Sequence, residues 1–374
     1  MKQKDFKKKH VFCIVDNDTF SYLIIDSLIN KLGLEDVDIK VLVFPSGSIL
    51  NTNYKRLPKI EYIEYDSKLL LYMEEVKSFT FISLNNWNVP IIKEIFDLKK
   101  ELLDKVYIYI TDDELDRWQK NINKYGILTK ETNNHISEDL LFLLPKLKNF
   151  IAPKYYYYDK ITKILNRNNI SVIDSSGIFE ILLTKDSNNL FTVINEMENT
   201  KFSGKQIMIG TKTNVFSVRE IIKVINSFRS INIYQEYSFI VMLTLKKRIY
   251  LDMYLFYLQF FKKIKVKINY FSQMTPFLYN VLLASNSHLI LQPRGGVSSA
   301  RLFVKWGCGS LCTATGSSNS NVFEKVYKTK CIFFDNLEHI AKSIVTSEVD
   351  IVMNQEAVES EELRSIEFLR KVYN

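Results

Sequence analysis

The stretch from Ser285 to Ser318, SNSHLILQPRGGVSSARLFVKWGCGSLCTATGSS, leaves a chain few ways to fold. His288 to Leu291 reads as a short apolar strand, and Gln292-Pro293 stops it because proline brings no N–H to a ladder. Arg294-Gly295-Gly296 supplies a turn, and Ser298 or Ser299 stands where it can cap a helix carrying Ala300, Leu302, Phe303, Val304 and Trp306. Gly307 and Gly309 end that helix, and a strand from Leu311 to Ala314 follows at once. Two strands joined through a helix run parallel, so the stretch specifies an α/β sheet. The same turn aims backbone N–H groups out of a helix start, beside a guanidinium and two hydroxyls, which suits a phosphate or carboxylate. Five of the chain's 11 glycines fall between Gly295 and Gly316, a density that ordinary tight connections do not need, although they too use glycine.

The alternation extends through the chain. A strand from His10 to Val15, a helix from about Thr19 to Leu32 and a strand from Ile39 to Phe44 make a first βαβ unit. Its turn, Asp16-Asn17-Asp18, lacks the glycines that let backbone approach a pyrophosphate, which argues against dinucleotide binding in this half. Further strands are expected at Phe79 to Leu84, Val106 to Ile110, near Phe150 and at Ser171 to Ile173. Helices fill the gaps. Between Asp174 and Gly204 the texture turns polar, and the alternation then restarts with Gln206 to Ile209, a helix from Ser217 to Phe228, and Phe239 to Leu243. The strand Val266 to Phe271, a helix from Pro276 to Ala284, the Ser285 to Ser318 stretch and the strand Cys331 to Phe334 follow. With 374 residues, two domains are expected. We assign 1–185 and 186–350 to them, and 351–374 to a C-terminal helix crossing back.

Composition narrows the function classes. The chain is 47% hydrophobic and carries a net charge of +8, with lysines clustered at Lys2, Lys4, Lys7, Lys8 and Lys9, so anionic partners are favoured: sugar nucleotides, lipid head groups or nucleic acid. No compact basic and aromatic groove is legible, which argues against nucleic acid. Cys13, Cys308, Cys312 and Cys331 show no CxxC spacing and read as reduced core thiols of a cytoplasmic protein. Neither metal-site spacing, nor a signal peptide, nor an apolar run of ~20 residues is present. The segment Ile249 to Phe261, IYLDMYLFYLQFF, lies between Lys246-Lys247-Arg248 and Lys262-Lys263. Such ends suit a helix at a membrane interface. A helix buried against a sheet is the expectation here, because the segment is short and lacks a polar face.

Chemistry is expected where parallel strands end. Thr211 and Lys212 follow the first strand of the second half, and Arg294, Gly295 and Gly296 follow what the sequence count makes its fifth. Lys212 and Arg294 together can clamp a diphosphate, with Ser298 and Ser299 at the helix start. Tyr270 and Gln273, after the count's fourth strand, are placed to meet a nucleobase. In the first half Asp112, Asp113 and Glu114 close a central strand. Asp112 or Asp113 is the candidate general base, and helix capping accounts for at least one of the three. Asp16 and Asp18 carry the same two readings with less weight on catalysis. Tyr155 to Tyr158 read as packing residues, with an acceptor path as the alternative.

These residues resemble a known arrangement. Strand, cation, aromatic helix and the closing RGGVSS helix are similar to the C-terminal half of GT-B glycosyltransferases, which have two facing Rossmann-like domains. More narrowly, KINYFSQMTPFLYNVLLASNSHLILQPRGGVSSARLFVKWGCGSLCTATG resembles the transferases that add N-acetylfucosamine from its TDP-sugar to a polyprenyl-linked acceptor in enterobacterial common antigen synthesis. Arg294, Gly296 and Gly307 match their pattern, and IMIGTKTNVFSVREIIKVI brings Gly210 and Ser217 into correspondence. The likeness spans roughly residues 205–335. Arg301 stands near the helix position where many GT-B enzymes carry an acid. The resemblance implies a metal-independent transferase with no cofactor, acting on a nucleotide-sugar donor and a glycan or lipid-linked acceptor in bacterial surface polysaccharide synthesis. An anionic membrane surface is a further expected partner, on the inner face of the cell membrane. A sialyltransferase-like enzyme using a CMP-sugar and a catalytically inactive scaffold of the same shape are the alternatives.

Overall fold

The computed structural model describes residues 6–15, 18–44, 56–111, 113–179, 186, 189–190, 192, 205–271 and 274–373. The chain divides into two compact units, Met1–Glu180 with Glu362–Asn374, and Ile181–Glu361. The sequence reading places its divisions at 185 and 350; the second division of the structure falls inside the last helix.

The first unit contains β1 (His10–Val15), α1 (Thr19–Leu32), β2 (Ile39–Phe44), β3 (Glu61–Glu64), β4 (Ser78–Ile82) and α2 (Val89–Leu98). It continues with β5 (Val106–Tyr109), α3 (Asp113–Tyr125), α4 (Glu138–Leu143), β6 (Asn149–Ala152), α5 (Lys154–Leu165) and β7 (Ser171–Asp174). The seven strands are parallel in the order β3-β2-β1-β4-β5-β6-β7. Alternate residues of β1 serve opposite layers, because strand side chains alternate: Val11 and Cys13 join the core that holds Phe79, Ile108 and Trp118, whereas Phe12 and Ile14 join Ile25 and Leu28. β1 therefore reads as a continuous apolar run from Val11 to Val15. Asp18 caps α1, its carboxylate accepting from the N–H groups of Phe20 and Ser21 at 3.2 Å each, which settles that residue as structural. Gly33 ends the helix in the left-handed region at φ 70°.

The second unit contains β8 (Lys205–Ile209), α6 (Val218–Ser230), β9 (Tyr237–Met242), α7 (Leu245–Phe261), β10 (Lys267–Phe271), α8 (Pro276–Ala284) and β11 (His288–Ile290). It ends with α9 (Val297–Lys305), β12 (Ser310–Ala314), α10 (Ser318–Lys325), β13 (Ile332–Phe334), α11 (Ile340–Thr346) and α12 (Ile351–Tyr373). Its six parallel strands run β10-β9-β8-β11-β12-β13. A reciprocal capping box opens α6, with Ser217 accepting from Glu220 N and the Glu220 carboxylate accepting from Ser217 N. The first turns of α12 belong to this unit, where Asn354 exchanges two hydrogen bonds with the Lys330 backbone, at 2.7 and 2.8 Å. Its last turns belong to the first unit, burying Ile366, Leu369 and Tyr373 in the layer that holds Phe12.

Two expectations are corrected. The strand ending at Ile290 is the fourth of its unit, not the fifth, and the strand carrying Tyr270 is the third, not the fourth: the six strands named from the sequence are the six observed, and both ordinals stand one too high. The helix expected to be buried against the sheet, α7, buries only Leu251 and Leu258. An abundance of aromatic residues reports how apolar a helix is; it does not report how much of it the sheet covers.

Candidate functional site

The order β9-β8-β11-β12 makes β8 and β11 hydrogen-bonded neighbours, with Ile207, Met208 and Ile209 paired to His288, Leu289 and Ile290. From β8 the chain crosses toward β9, and from β11 toward β12, so the loops after these two strands diverge. That is the switch point of an open α/β sheet, where ligands settle at the carboxyl ends of the strands. Gly210 N donates to Ile290 O at 2.9 Å, carrying the ladder one residue past β8.

Gln292 ties the two loops together. Buried to 4% exposure, its amide nitrogen donates to Thr211 Oγ1 at 2.9 Å and to Gly295 O at 3.0 Å, while its amide oxygen accepts from Thr211 N at 3.3 Å. Asn319, from the first turn of α10, donates through Nδ2 to Gln292 O at 2.5 Å and to Gly295 O at 2.8 Å. The Tyr279 hydroxyl donates to Thr211 O at 3.1 Å, and burial pushes that phenol up to about 12, so it stays a donor. Sequence reasoning missed Gln292, Asn319 and Tyr279 as site residues because their partners lie far along the chain; the only local signal is an amide interrupting an apolar run.

This set fixes a turn only glycine can make. Gly295 and Gly296 lie at φ 78° and 75°, and a Cβ on Gly296 would stand 2.1 Å from Thr211 Oγ1 and 2.5 Å from Gln292 Nε2. Around Gly295 there is open space. The expected serine cap is corrected: Gly296 itself caps α9, with no side-chain hydrogen bond, and Ser298 and Ser299 sit inside the first turn. Two consecutive left-handed glycines turn the chain early enough for the helix to begin at Val297. The N–H groups of a helix's first turn have no partner within the helix, and here no cap side chain covers them. Ser299 is buried and bonded to Tyr279; Ser298 is half-buried.

Lys212 and Arg294 are both exposed, in the loops after adjacent strands, one residue from Thr211 and two from Gln292 respectively. Thr211, Lys212, Arg294, Gly295, Gly296, Ser298 and Ser299 are therefore gathered by one pair of neighbouring loops. Tyr270 is elsewhere. It lies on β10, two strands from β8, with its hydroxyl donating to Asp252 at 2.6 Å and the Arg248 guanidinium 4.4 Å over its ring. Gln273 lies outside the described residues. Arg301, at 1% exposure, is buried within α9.

In the first unit, Asp16 and Asp112 lie outside the described residues, and Asp113 opens α3 at the carboxyl end of β5. Glu114 is the structural member of its trio. Fully buried, its carboxylate accepts from Thr111 Oγ1 at 2.8 Å, Thr111 N at 3.2 Å and Leu84 N at 3.2 Å, tying the end of β5 to the end of β4. Burial raises its affinity for a proton. Tyr157 and Tyr158 pack against the core and Tyr155 is exposed. Among the described residues no three His, Cys, Asp or Glu side chains gather as a metal site, and no helix is long and apolar enough to cross a membrane.

Comparison with known proteins defines the class to which this geometry belongs. No protein-family model matches the sequence, and no curated protein matches it. Solved structures do match over their whole length. A glycosyltransferase from Rickettsia africae aligns over 98% of each chain with 11% identity and a TM-score of 0.56. A UDP-glucosyltransferase from Polygonum tinctorium, capable of glucosylating indoxyl, aligns over 99% of each chain with 9% identity and a TM-score of 0.54. A UDP-forming α,α-trehalose-phosphate synthase from Burkholderia vietnamiensis covers 99% of this chain and 96% of its own, with 7% identity and a TM-score of 0.53. Two parallel sheets flanked by helices, in one chain, with these neighbours, give the protein the GT-B fold.

Proposed function

We propose that the protein is a glycosyltransferase that moves a sugar from a nucleoside-diphosphate donor to a glycan or lipid-linked acceptor. The observation that carries this reading is the cradle at the β8 and β11 switch point. A glycine-only turn, braced by Gln292, Asn319 and Tyr279, opens a helix whose first-turn N–H groups stand between two loops that each present an exposed cation. Neutralising a departing diphosphate is the main electrostatic task of sugar transfer. Arg294 offers a planar fork for phosphate oxygens, Lys212 a point charge, and the helix start a fixed partial positive charge. These groups make the reaction independent of a bound metal. Asp112 or Asp113 takes the proton from the acceptor hydroxyl.

Two matched structures are named for UDP chemistry, which supports a nucleoside-diphosphate donor. The run from Lys267 to Gly316 supports a TDP-linked amino sugar as the first donor to try, and a polyprenyl-linked acceptor at the inner face of a bacterial membrane, in surface polysaccharide synthesis. Calorimetric titration with UDP, GDP, TDP, ADP and CMP, in EDTA and then in magnesium, tests the reading. One diphosphate binding tightly in EDTA is the expected result. Preference for CMP would transfer the site to monophosphate-sugar chemistry, and absence of all binding would leave a fold without donor recognition.

A further inference from the structure

The apolar side of α7 has no partner among the described residues. Met253, Phe256 and Phe260 are 65%, 60% and 61% exposed, with Ile249 and Tyr257 at 53% and 44% and Phe261 at 70%. At about 100° per residue these side chains fall within an arc of roughly 140° on one face, and Leu251 and Leu258 point the opposite way into the unit. Stacking orders the stripe: Phe256 on Phe260 at 5.0 Å, and Tyr257 near Phe261 at 5.6 Å. A stripe this apolar in water marks an interaction surface.

Charge identifies the occupant. Lys246 at one end and Lys262 and Lys263 at the other are exposed, and no carboxylate of the described residues pairs with them. The helix's own acid, Asp252, is held by Arg248 and Tyr270. A second copy laid on this face, in either direction, brings lysines against lysines. An anionic bilayer meets every feature at once: aromatic and aliphatic side chains enter the boundary between head groups and acyl chains, tyrosine hydroxyls stay at its polar level, and the lysines at both ends reach lipid phosphates.

We propose that α7 docks the protein on an anionic membrane surface, lying in the plane of the interface with the stripe from Ile249 to Phe261 downward. The inference rests on this helix alone and does not depend on the donor site.

Flotation with vesicles tests it, using phosphatidylcholine alone and phosphatidylcholine mixed with phosphatidylglycerol. The parent protein is expected to float with the mixed vesicles at low salt, at least tenfold less with the neutral ones, and progressively less as salt shortens the Debye length. The double variants F256S/F260S and K262E/K263E are each expected to lower partitioning at least tenfold, with an unchanged circular-dichroism melt, since all four side chains are exposed. No flotation, equal flotation with neutral vesicles, or flotation that both folded variants retain would overturn the proposal. So would a dimer by light scattering that F256S/F260S dissociates, because the stripe would then belong to a second copy.

Discussion

Gly295 and Gly296 share a backbone conformation and differ in their surroundings, and that difference separates two effects. Alanine at Gly295 meets only the left-handed penalty of about 1–2 kcal/mol, because its Cβ points into open space. Alanine at Gly296 adds a collision with Thr211 Oγ1 and Gln292 Nε2. In urea unfolding, Gly296→Ala is therefore expected to cost clearly more than Gly295→Ala and to weaken nucleotide binding with it, since the same atoms hold the loop. Gln292→Ala leaves Thr211 N without its acceptor and removes the donor to Thr211 Oγ1 and to Gly295 O, a loss of about 1–3 kcal/mol in the same measurement. The glycines are legible in the sequence because proline, arginine and two glycines in a row permit little besides a turn. The amides that brace them are not, since Gln292 meets Thr211 across 81 residues and Asn319 across 27. The cap of α9 departs from expectation for a local reason: serine is the usual cap, but a left-handed glycine starts the helix without one.

Among the elements, α12 shows how a short tail completes a layer. Tyr373 stacks on Phe12 with ring centroids 5.7 Å apart, meets His10 edge-on at 5.3 Å, and shares a hydrogen bond of 2.9 Å with Thr80 Oγ1. Tyr373→Phe removes only that bond and is expected to cost about 0.5–1.5 kcal/mol. Tyr373→Ala opens a buried cavity as well and is expected to cost about 3–5 kcal/mol, read as a shift of the chemical unfolding midpoint. Strands with long apolar runs, such as β1, are legible from sequence. β3 is not: EYIE buries only Ile63, and four residues with one apolar contact to the core give no period to read. The exposure of α7 is hidden for the opposite reason. A helix apolar on nearly every side does not say which side the sheet covers.

At the scale of the whole molecule, folding opposes the charging of His10 and His135 in the first unit and of His288 in the second, most strongly at His10 and His288. Burial, aided by Lys77, lowers His10 from 6.5 to about 4; burial, aided by Lys205, does the same to His288. Between those values the unfolded chain binds more protons than the folded one, so the contribution of both groups is complete above about pH 6.5 and is lost as pH falls toward about 4. The thermal midpoint is expected to drop steeply across that window, and His288→Asn, which cannot titrate, is expected to lose less than the parent. The doubling of the α/β pattern is legible because parallel strands require crossovers. The order of the strands along the chain makes the one before Arg294 the fourth, and only hydrogen-bonded pairing sets β11 beside β8.

Arg294 is the group through which the loops after β8 and β11 hold a nucleoside diphosphate in the proposed reaction. The most direct test is calorimetry of the parent and Arg294→Ala in EDTA against whichever diphosphate the parent binds. A dissociation constant raised at least tenfold, about 1.4 kcal/mol, with an unchanged melting temperature is the predicted result. An equal dissociation constant in a folded variant would contradict it, and would take the diphosphate away from this turn.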